Sequence, residues 1–307
     1  MTAVSVIVCA YTAARFDALR AVVGALADQT LEPTEVVVII DHNPGLLERV
    51  RRELPGVKAQ PNASRRGLSG ARNTGVTVAS SPIVAFLDDD ALPARDWLAR
   101  LVAPYEDADV MATGGRCEPD WLAGRPRWFP EEFDWVVGCT YRGLPRQPAE
   151  VRNPIGASMS FRRCALDATG VFREDMGRVG RIPLGCEETE LAIRLRRLLP
   201  SSRIMYVPGA AVSHLVPAER GRFQYFLARC HAEGISKALV SDVAGSGHAL
   251  ASERHYTYGV LPRGLLRGFV DALGGDVAGL ARTGAIVIGL TVTVLGYLRG
   301  SVVRGRS

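Results

Sequence analysis

The sequence predicts an α/β protein: a Rossmann-like, mostly parallel sheet with helices on both faces, followed by a helical tail. Three observations carry this expectation. Short apolar runs alternate with amphipathic stretches through the first third of the chain. Polar residues collect where those runs end, above all Asp88-Asp89-Asp90 after Ile83–Leu87. From about residue 241 the texture becomes apolar and basic, with Gly284–Leu298 nearly free of polar groups.

Val4–Val8 reads as the first strand, and Phe16–Asp28 as a helix carrying Phe16, Leu19, Val23 and Leu26 on one face. Glu35–Ile40 is a second strand, ending at Asp41. Leu46–Leu54 is a helix closed by Pro55-Gly56, and Ser69–Ala79 is another. Ile83–Leu87 then delivers the aspartates. From about Arg116 the pattern loosens: Trp121, Trp128, Phe129, Phe133 and Trp135 crowd into a stretch rich in Pro, Gly and charge. Two readings stand there, a satellite core under a long loop and a wall facing a sugar or lipid. Asn153–Phe161 resumes a strand pattern, Glu187–Leu199 is a helix, and Arg203–Val207 is a strand. Pro262–Ala281 has apolar residues at helical spacing, with Leu266, Phe269, Val270, Leu273, Val277 and Leu280 opposed to Arg263 and Arg267. The Gly284–Leu298 run is short of the roughly 20 residues that span a bilayer. With arginines on either side it predicts an interfacial or re-entrant helix, and a soluble core or dimer helix is the alternative.

The 307 residues are 47% hydrophobic and 22% charged, with a formal charge of +5. That is enough chain for one large domain, or one domain with an appendage. No basic run interleaves with aromatics, which excludes a nucleic-acid surface. Cys9, Cys117, Cys139, Cys164, Cys186 and Cys230 are scattered without a CxxC pair, as in a reduced compartment. The N-terminal stretch enters a strand without a basic region or cleavage signal, so it does not read as a secretory leader.

Chemistry concentrates at four places. Tyr11 and Asp41 end adjacent strands, where a tyrosine stacks on a base and an aspartate accepts from a base N–H or ribose hydroxyl. Gly67–Gly75 is a glycine-punctuated turn opening a helix, whose free N–H groups favour an anion. Asp88–Asp90 are hard oxygen ligands crowded together, either a site for Mn²⁺ or Mg²⁺ bridging to phosphates or a solvated acidic turn that runs on into Leu92-Pro93. Glu187, Glu188 and Glu190 make an acidic first turn, either a neutral helix start or the place of a general base.

These residues, in this order and spacing, resemble the family 2 inverting glycosyltransferases of the GT-A fold. The matching stretches are Ser5–Tyr11, Glu35–Asp41, Gly70–Gly75, Phe86–Asp90, and Gly185–Leu191 followed by Arg194. The resemblance covers roughly residues 4 to 215. It implies that 1–115 forms the nucleotide-sugar-binding half of the GT-A domain and 116–240 the acceptor-binding half, while 241–307 reads from its own apolar and basic composition as a helical, membrane-associating tail. It places Tyr11 and Asp41 on the nucleoside, Arg72 and Asn73 at the diphosphate and Asp88 on the ribose or donor sugar, with Ala10 and Asp89 also among the substrate-binding residues. Asp88 and Asp90 become a DxD motif, with Asp90 the direct metal ligand and His214 a further metal or phosphate ligand. Glu188 takes the position of the family's catalytic aspartate. Because Glu-Glu stands where Glu-Asp is usual, Glu187 or Glu188 is the base. Thr12 and Ser158 stand where asparagine is frequent.

The implied activity is metal-dependent transfer of a sugar from a nucleotide diphosphate sugar, a UDP sugar before GDP or dTDP. The implied acceptor is a lipid-linked sugar or growing glycan, at the cytoplasmic face of a membrane. The stretch Arg222–Lys237 resembles relatives working on lipid-linked acceptors, with Arg222, Arg229 and Lys237 either toward a lipid phosphate or on a solvated helix face. Two rivals remain, a degenerate nucleotide- or glycan-binding scaffold and a sugar-nucleotide pyrophosphorylase. The latter lacks its Gly/Arg/Lys-rich loop at Cys9–Arg15.

Overall fold

The computed structural model describes residues 3–176, 185–244 and 254–304. They form two compact units. The first comprises Met1–Glu118, Pro145–Ile182 and Glu187–His214; the second comprises Pro119–Leu144, Pro183–Cys186 and Leu215–Ser307.

The first unit opens with β1 (Val4–Ala10), α1 (Phe16–Ala27), β2 (Glu35–Ile40), α2 (Pro44–Glu53), β3 (Lys58–Pro61), α3 (Leu68–Val78) and β4 (Ile83–Asp88). Helix and strand limits fall within two residues of those expected, because capping chemistry marks them. Asn43 caps α2 by accepting from Leu46 N–H over 3.1 Å, with Pro44 at the first helical position. The four strands pair in parallel in the order β3-β2-β1-β4, and β1 is sealed because it lies between β2 and β4. Chain order therefore diverges on either side of β1, which is the switch point where such sheets bind ligands.

The remaining strands are antiparallel, which the early alternation of strand and helix did not foretell. They are β5 (Ala91–Pro93), β6 (Val110–Trp121), β7 (Ala149–Glu150), β8 (Ser158–Arg162) and β9 (Arg203–Val216), in the sheet order β3-β2-β1-β4-β8-β6-β9-β5 with β7 beside β9. The short helices α4 (Trp97–Val102) and α5 (Arg163–Thr169), then α6 (Glu187–Leu198), complete the unit. Three expectations change here. The stretch expected as a strand over Asn153–Phe161 pairs only from Ser158, because Pro154–Gly156 turns and Ser158 N–H closes onto Ile155 O at 3.1 Å. β9 continues far past Val207, since Pro208-Gly209, a stop signal locally, falls between the β7 and β5 pairings. Leu92-Pro93, readable as a turn, instead forms β5. The unit's core cluster includes Ile7, Val37, Val84, Phe86, Met159, Phe161, Phe172 and Leu195, with Phe86 edge-on to Phe172 at 5.3 Å.

In the second unit, Phe129, Phe133 and Phe226 are fully buried, and Phe129 and Phe133 each make ring contact with Phe226. The aromatic stretch after Arg116 is thus a core of its own. Helix α7 (Phe223–Ala244) packs along α9 (Ala278–Arg304), with α8 (Leu261–Leu273) beside it. The expected continuous helix over Pro262–Ala281 is broken. Gly275 takes a φ of 99°, and Asp276 accepts from Ala278 N–H to start α9. The apolar run expected over Gly284–Leu298 sits inside a longer helix, and Ala278–Val302 is long and apolar enough to cross a bilayer by length and composition. The small residues on either side of the run continue the helix, so its 15-residue core understated its length.

Candidate active site

The register of the sheet builds the site. β1 pairs Cys9 with Asp88, so the carboxyl ends of β1 and β4 finish side by side. β5 pairs Ala91 with His214, which brings the imidazole of β9 back beside the aspartates. Ligand atoms of Asp88, Asp90 and His214 all lie within 4.8 Å of one another. His214 Nε2 is 3.3 Å from Asp90 Oδ1. Asp89 and Asp90 are buried, and Asp88 is half-buried. Two carboxylates and one imidazole at this spacing are a donor set for a divalent ion of the Mn²⁺ or Mg²⁺ type, the imidazole favouring Mn²⁺. Burial first, then the neighbouring Asp90 charge, raise the Asp88 carboxyl above its ordinary value, with Arg72 working the other way.

Arg72 is the hub on the α3 side. Nη1 donates to Glu187 Oε1 over 2.8 Å, Nη2 donates to Gly156 O over 2.9 Å, and the same nitrogen is 3.5 Å from Asp88. Burial opposes its charge, but Glu187 and Asp88, and at longer range Glu188, outweigh that and hold it protonated. Glu187 is buried, with Oε2 lacking a hydrogen-bond partner among the described residues. Glu188, one position further along α6, is half-buried. The residue before the pair, Cys186, has a φ of 71°, a left-handed conformation in a non-glycine residue.

Asn73 does not join this cluster. Its amide donates to Phe172 O over 2.8 Å and to Glu174 Oε1 over 3.2 Å, and its oxygen accepts from Phe172 N–H over 2.9 Å. It ties α3 to the 172–174 segment instead of facing the aspartates.

The β1–β2 side forms a second wall. Ala10 is buried at the end of β1, and its carbonyl accepts from Asp41 N–H over 2.8 Å. Tyr11 is 41% exposed, which leaves its ring available to stack. Asp41 Oδ1 accepts from Asn62 Nδ2 over 2.7 Å and lies 2.8 Å from His42 Nδ1, while Oδ2 accepts from Gly67 N–H over 3.0 Å. Asp41 therefore also anchors the glycine turn, a task served by Asn62, which sequence reasoning passed over.

Two positions where the pattern departs from asparagine have local explanations. Thr12 Oγ1 accepts from Ala14 N–H over 3.3 Å and caps the turn Ala13–Arg15. Ser158 Oγ accepts from Trp97 Nε1 over 2.8 Å inside the core. Sequence reasoning also missed Arg15, which lies against Asp89 and Asp90; nothing in its local sequence announces a partner 75 positions away.

A sequence profile described as Glycosyl transferase family 2 matches residues 5–170. The glucosyl-dolichyl phosphate glucuronosyltransferase of Haloferax volcanii is 34% identical over 241 residues, 77% of this chain and 77% of that protein. Among solved structures, a mannosyltransferase from Pyrobaculum calidifontis in complex with GDP-Man and Mn²⁺ superposes with a TM-score of 0.58 at 20% identity, covering 96% of this chain and 86% of that one. GalNAc-T7 with UDP, GalNAc and Mn²⁺ gives a TM-score of 0.52 at 18% identity over 70% of this chain, which spans 43% of that transferase. Both structures share the fold. The chain belongs to glycosyl transferase family 2.

Proposed function

We propose that this family 2 glycosyltransferase transfers a sugar, with inversion at the anomeric carbon, from a nucleoside diphosphate donor to a hydroxyl of a lipid-phosphate-linked sugar. The observation that carries the reading is Arg72 joining the Asp88 side of the acidic cluster to the first turn of α6. Donor-holding and proton-accepting groups then share one rigid connection. The lipid-linked acceptor is favoured by the likeness to the glucosyl-dolichyl phosphate glucuronosyltransferase.

Asp88, Asp90 and His214 would hold the divalent ion, whose charge offsets that developing on the leaving diphosphate. Tyr11 stacks on the base, and Asp41 accepts from the nucleoside. Glu188 accepts the proton of the acceptor hydroxyl as its oxygen bonds to the anomeric carbon and the bond to the diphosphate oxygen breaks. Glu187, engaged by Arg72, is a positioning residue. Asp89, paired with Arg15, supports the wall of the site rather than contacting donor.

We assign membrane contact to the second unit. Leu266, Phe269, Val270 and Leu273 of α8 are exposed, Leu273 to 90%, an apolar face with nothing over it among the described residues. α9 is held against α7 where Gly234 meets Thr293 and Gly296 meets His231. Arg229, Glu233 and Lys237 sit on α7 around that contact, and carrying three charges into hydrocarbon is costly. A helical hairpin lying on the surface avoids this. The test is nucleoside diphosphate release from UDP-, GDP- and dTDP-sugars with Mn²⁺, Mg²⁺ or EDTA, with and without lipid extract. Metal-dependent release from one donor, raised by lipid, is expected; none with any donor would leave a nucleotide-binding scaffold.

A further inference from the structure

Asp90 is engaged from two directions. His214 approaches Oδ1, and Arg15 Nη1 donates to Oδ2 over 2.5 Å while standing 3.1 Å from Asp89 Oδ1. Burial opposes the charge of Arg15, but Asp89 and then Asp90 more than offset this, so the guanidinium stays a full cation. Its side chain is three-quarters buried, at 25% exposure. Yet Nε, also buried, has no hydrogen-bond partner among the described residues. The guanidinium carbon lies 5.0 Å from the centre of the Tyr11 ring, on the wall read as the nucleoside side.

A guanidinium and a divalent ion on one carboxylate repel each other and compete for its charge, even from opposite oxygens. Arg15 is also incompletely satisfied where it is: one nitrogen bridges two aspartates while Nε makes no hydrogen bond among the described residues. A diphosphate would take Nε and a terminal nitrogen together in the forked geometry arginine prefers. We propose that Arg15 is a metal-gated donor ligand: an ion arriving at Asp90 releases the guanidinium, which then binds the donor's diphosphate beside Tyr11. Metal and donor binding are coupled through this one side chain. The proposal rests on the metal-dependent reading given above.

The test is Mn²⁺ binding followed by electron paramagnetic resonance without any substrate, on the wild-type chain, Arg15→Met, Arg15→Lys and Asp90→Asn. Removing the competing cation should tighten Mn²⁺ binding in Arg15→Met by about tenfold, a typical size for coupled sites. Arg15→Lys, which keeps the charge without the fork, should stay near wild type. With Mn²⁺ saturating, UDP and GDP binding, measured by calorimetry, should weaken about tenfold in both Arg15 variants. A purely structural Arg15 predicts weaker Mn²⁺ binding on its loss, because the turn bearing Asp90 loosens. Equal or weaker Mn²⁺ binding in Arg15→Met, with wild type binding and Asp90→Asn not, would overturn the proposal and leave the metal reading intact. Mn²⁺ binding to none of the four proteins would overturn both.

Discussion

Arg72 Nη1 and Glu187 Oε1 lie 2.8 Å apart with both side chains buried, so the acidic first turn of α6 is pinned to α3 by a desolvated ion pair. Such a pair is costly to break singly, because the surviving charge has no solvent to turn to. This separates two adjacent glutamates that composition alone leaves equivalent.

Glu188→Gln should lower turnover by about 10²–10⁴-fold, the usual range for losing a general base, with little change in stability. Glu187→Ala should instead destabilise the protein by about 3 kcal/mol, since it removes the nearer counter-charge of the buried Arg72 and leaves only Asp88, at 3.5 Å, to offset it. Paired thermal melts and initial-rate measurements check both. The reverse pattern would move the base to Glu187.

Asp90→Ala should lose about 10²–10³-fold in turnover, on the scale of removing one strong electrostatic contributor. EDTA should bring wild type down to that level and leave the variant unchanged. Sensitivity to EDTA persisting in Asp90→Ala would place the ion elsewhere.

Glu35 sets an acid limit on the sheet. Partial burial works against its charge, but the Ser5 hydroxyl, the Ser80 hydroxyl and N–H, and Lys58 more than offset it and bring the carboxyl from 4.5 to about 2. The folded state thus binds fewer protons than the unfolded one between those values. Its stabilisation is complete above pH 4.5 and lost as pH falls toward 2. Glu35→Gln should melt below wild type at pH 7, with the gap closing on acidification through that window.

A Cβ at Gly234 would stand 2.0 Å from Thr293 O, whereas one at Gly284 meets nothing within 4 Å. Gly234→Ala should therefore destabilise by about 1–3 kcal/mol despite alanine's better helix propensity. Gly284→Ala should gain about 0.5–1 kcal/mol. Calorimetric melts of the two variants decide whether the α7–α9 contact is as close as this.

Replacing Leu266 and Phe269 of α8 with glutamate should abolish co-sedimentation with anionic vesicles without lowering the melting temperature, because both side chains are already exposed. Unchanged vesicle binding would assign that face to another partner.

Three of the four parallel strands were legible in the sequence, and the short, polar β3 (Lys58–Pro61) was not. Val4–Ala10, Glu35–Ile40 and Ile83–Asp88 are apolar runs ended by polar residues, and strands buried on both faces read that way. The aspartates were legible too, since like charges have few reasons to cluster at a strand end. The antiparallel half was not. β9 passes through Pro208-Gly209, and only its pairing with β7 and β5 shows why the strand continues. Arg15 and Asn62 were invisible because their partners are distant in sequence.

By itself, the sequence determined which residues carry charge and where strands meet helices, because hydrophobic period, caps and turns are local properties. Only the tertiary structure decided that Glu187 pairs with Arg72, that Asn73 turns to Phe172, and that Arg15 meets Asp90. Those contacts follow from register and burial. A buried charge takes the counter-charge the fold brings to it, and no local pattern encodes which one that is.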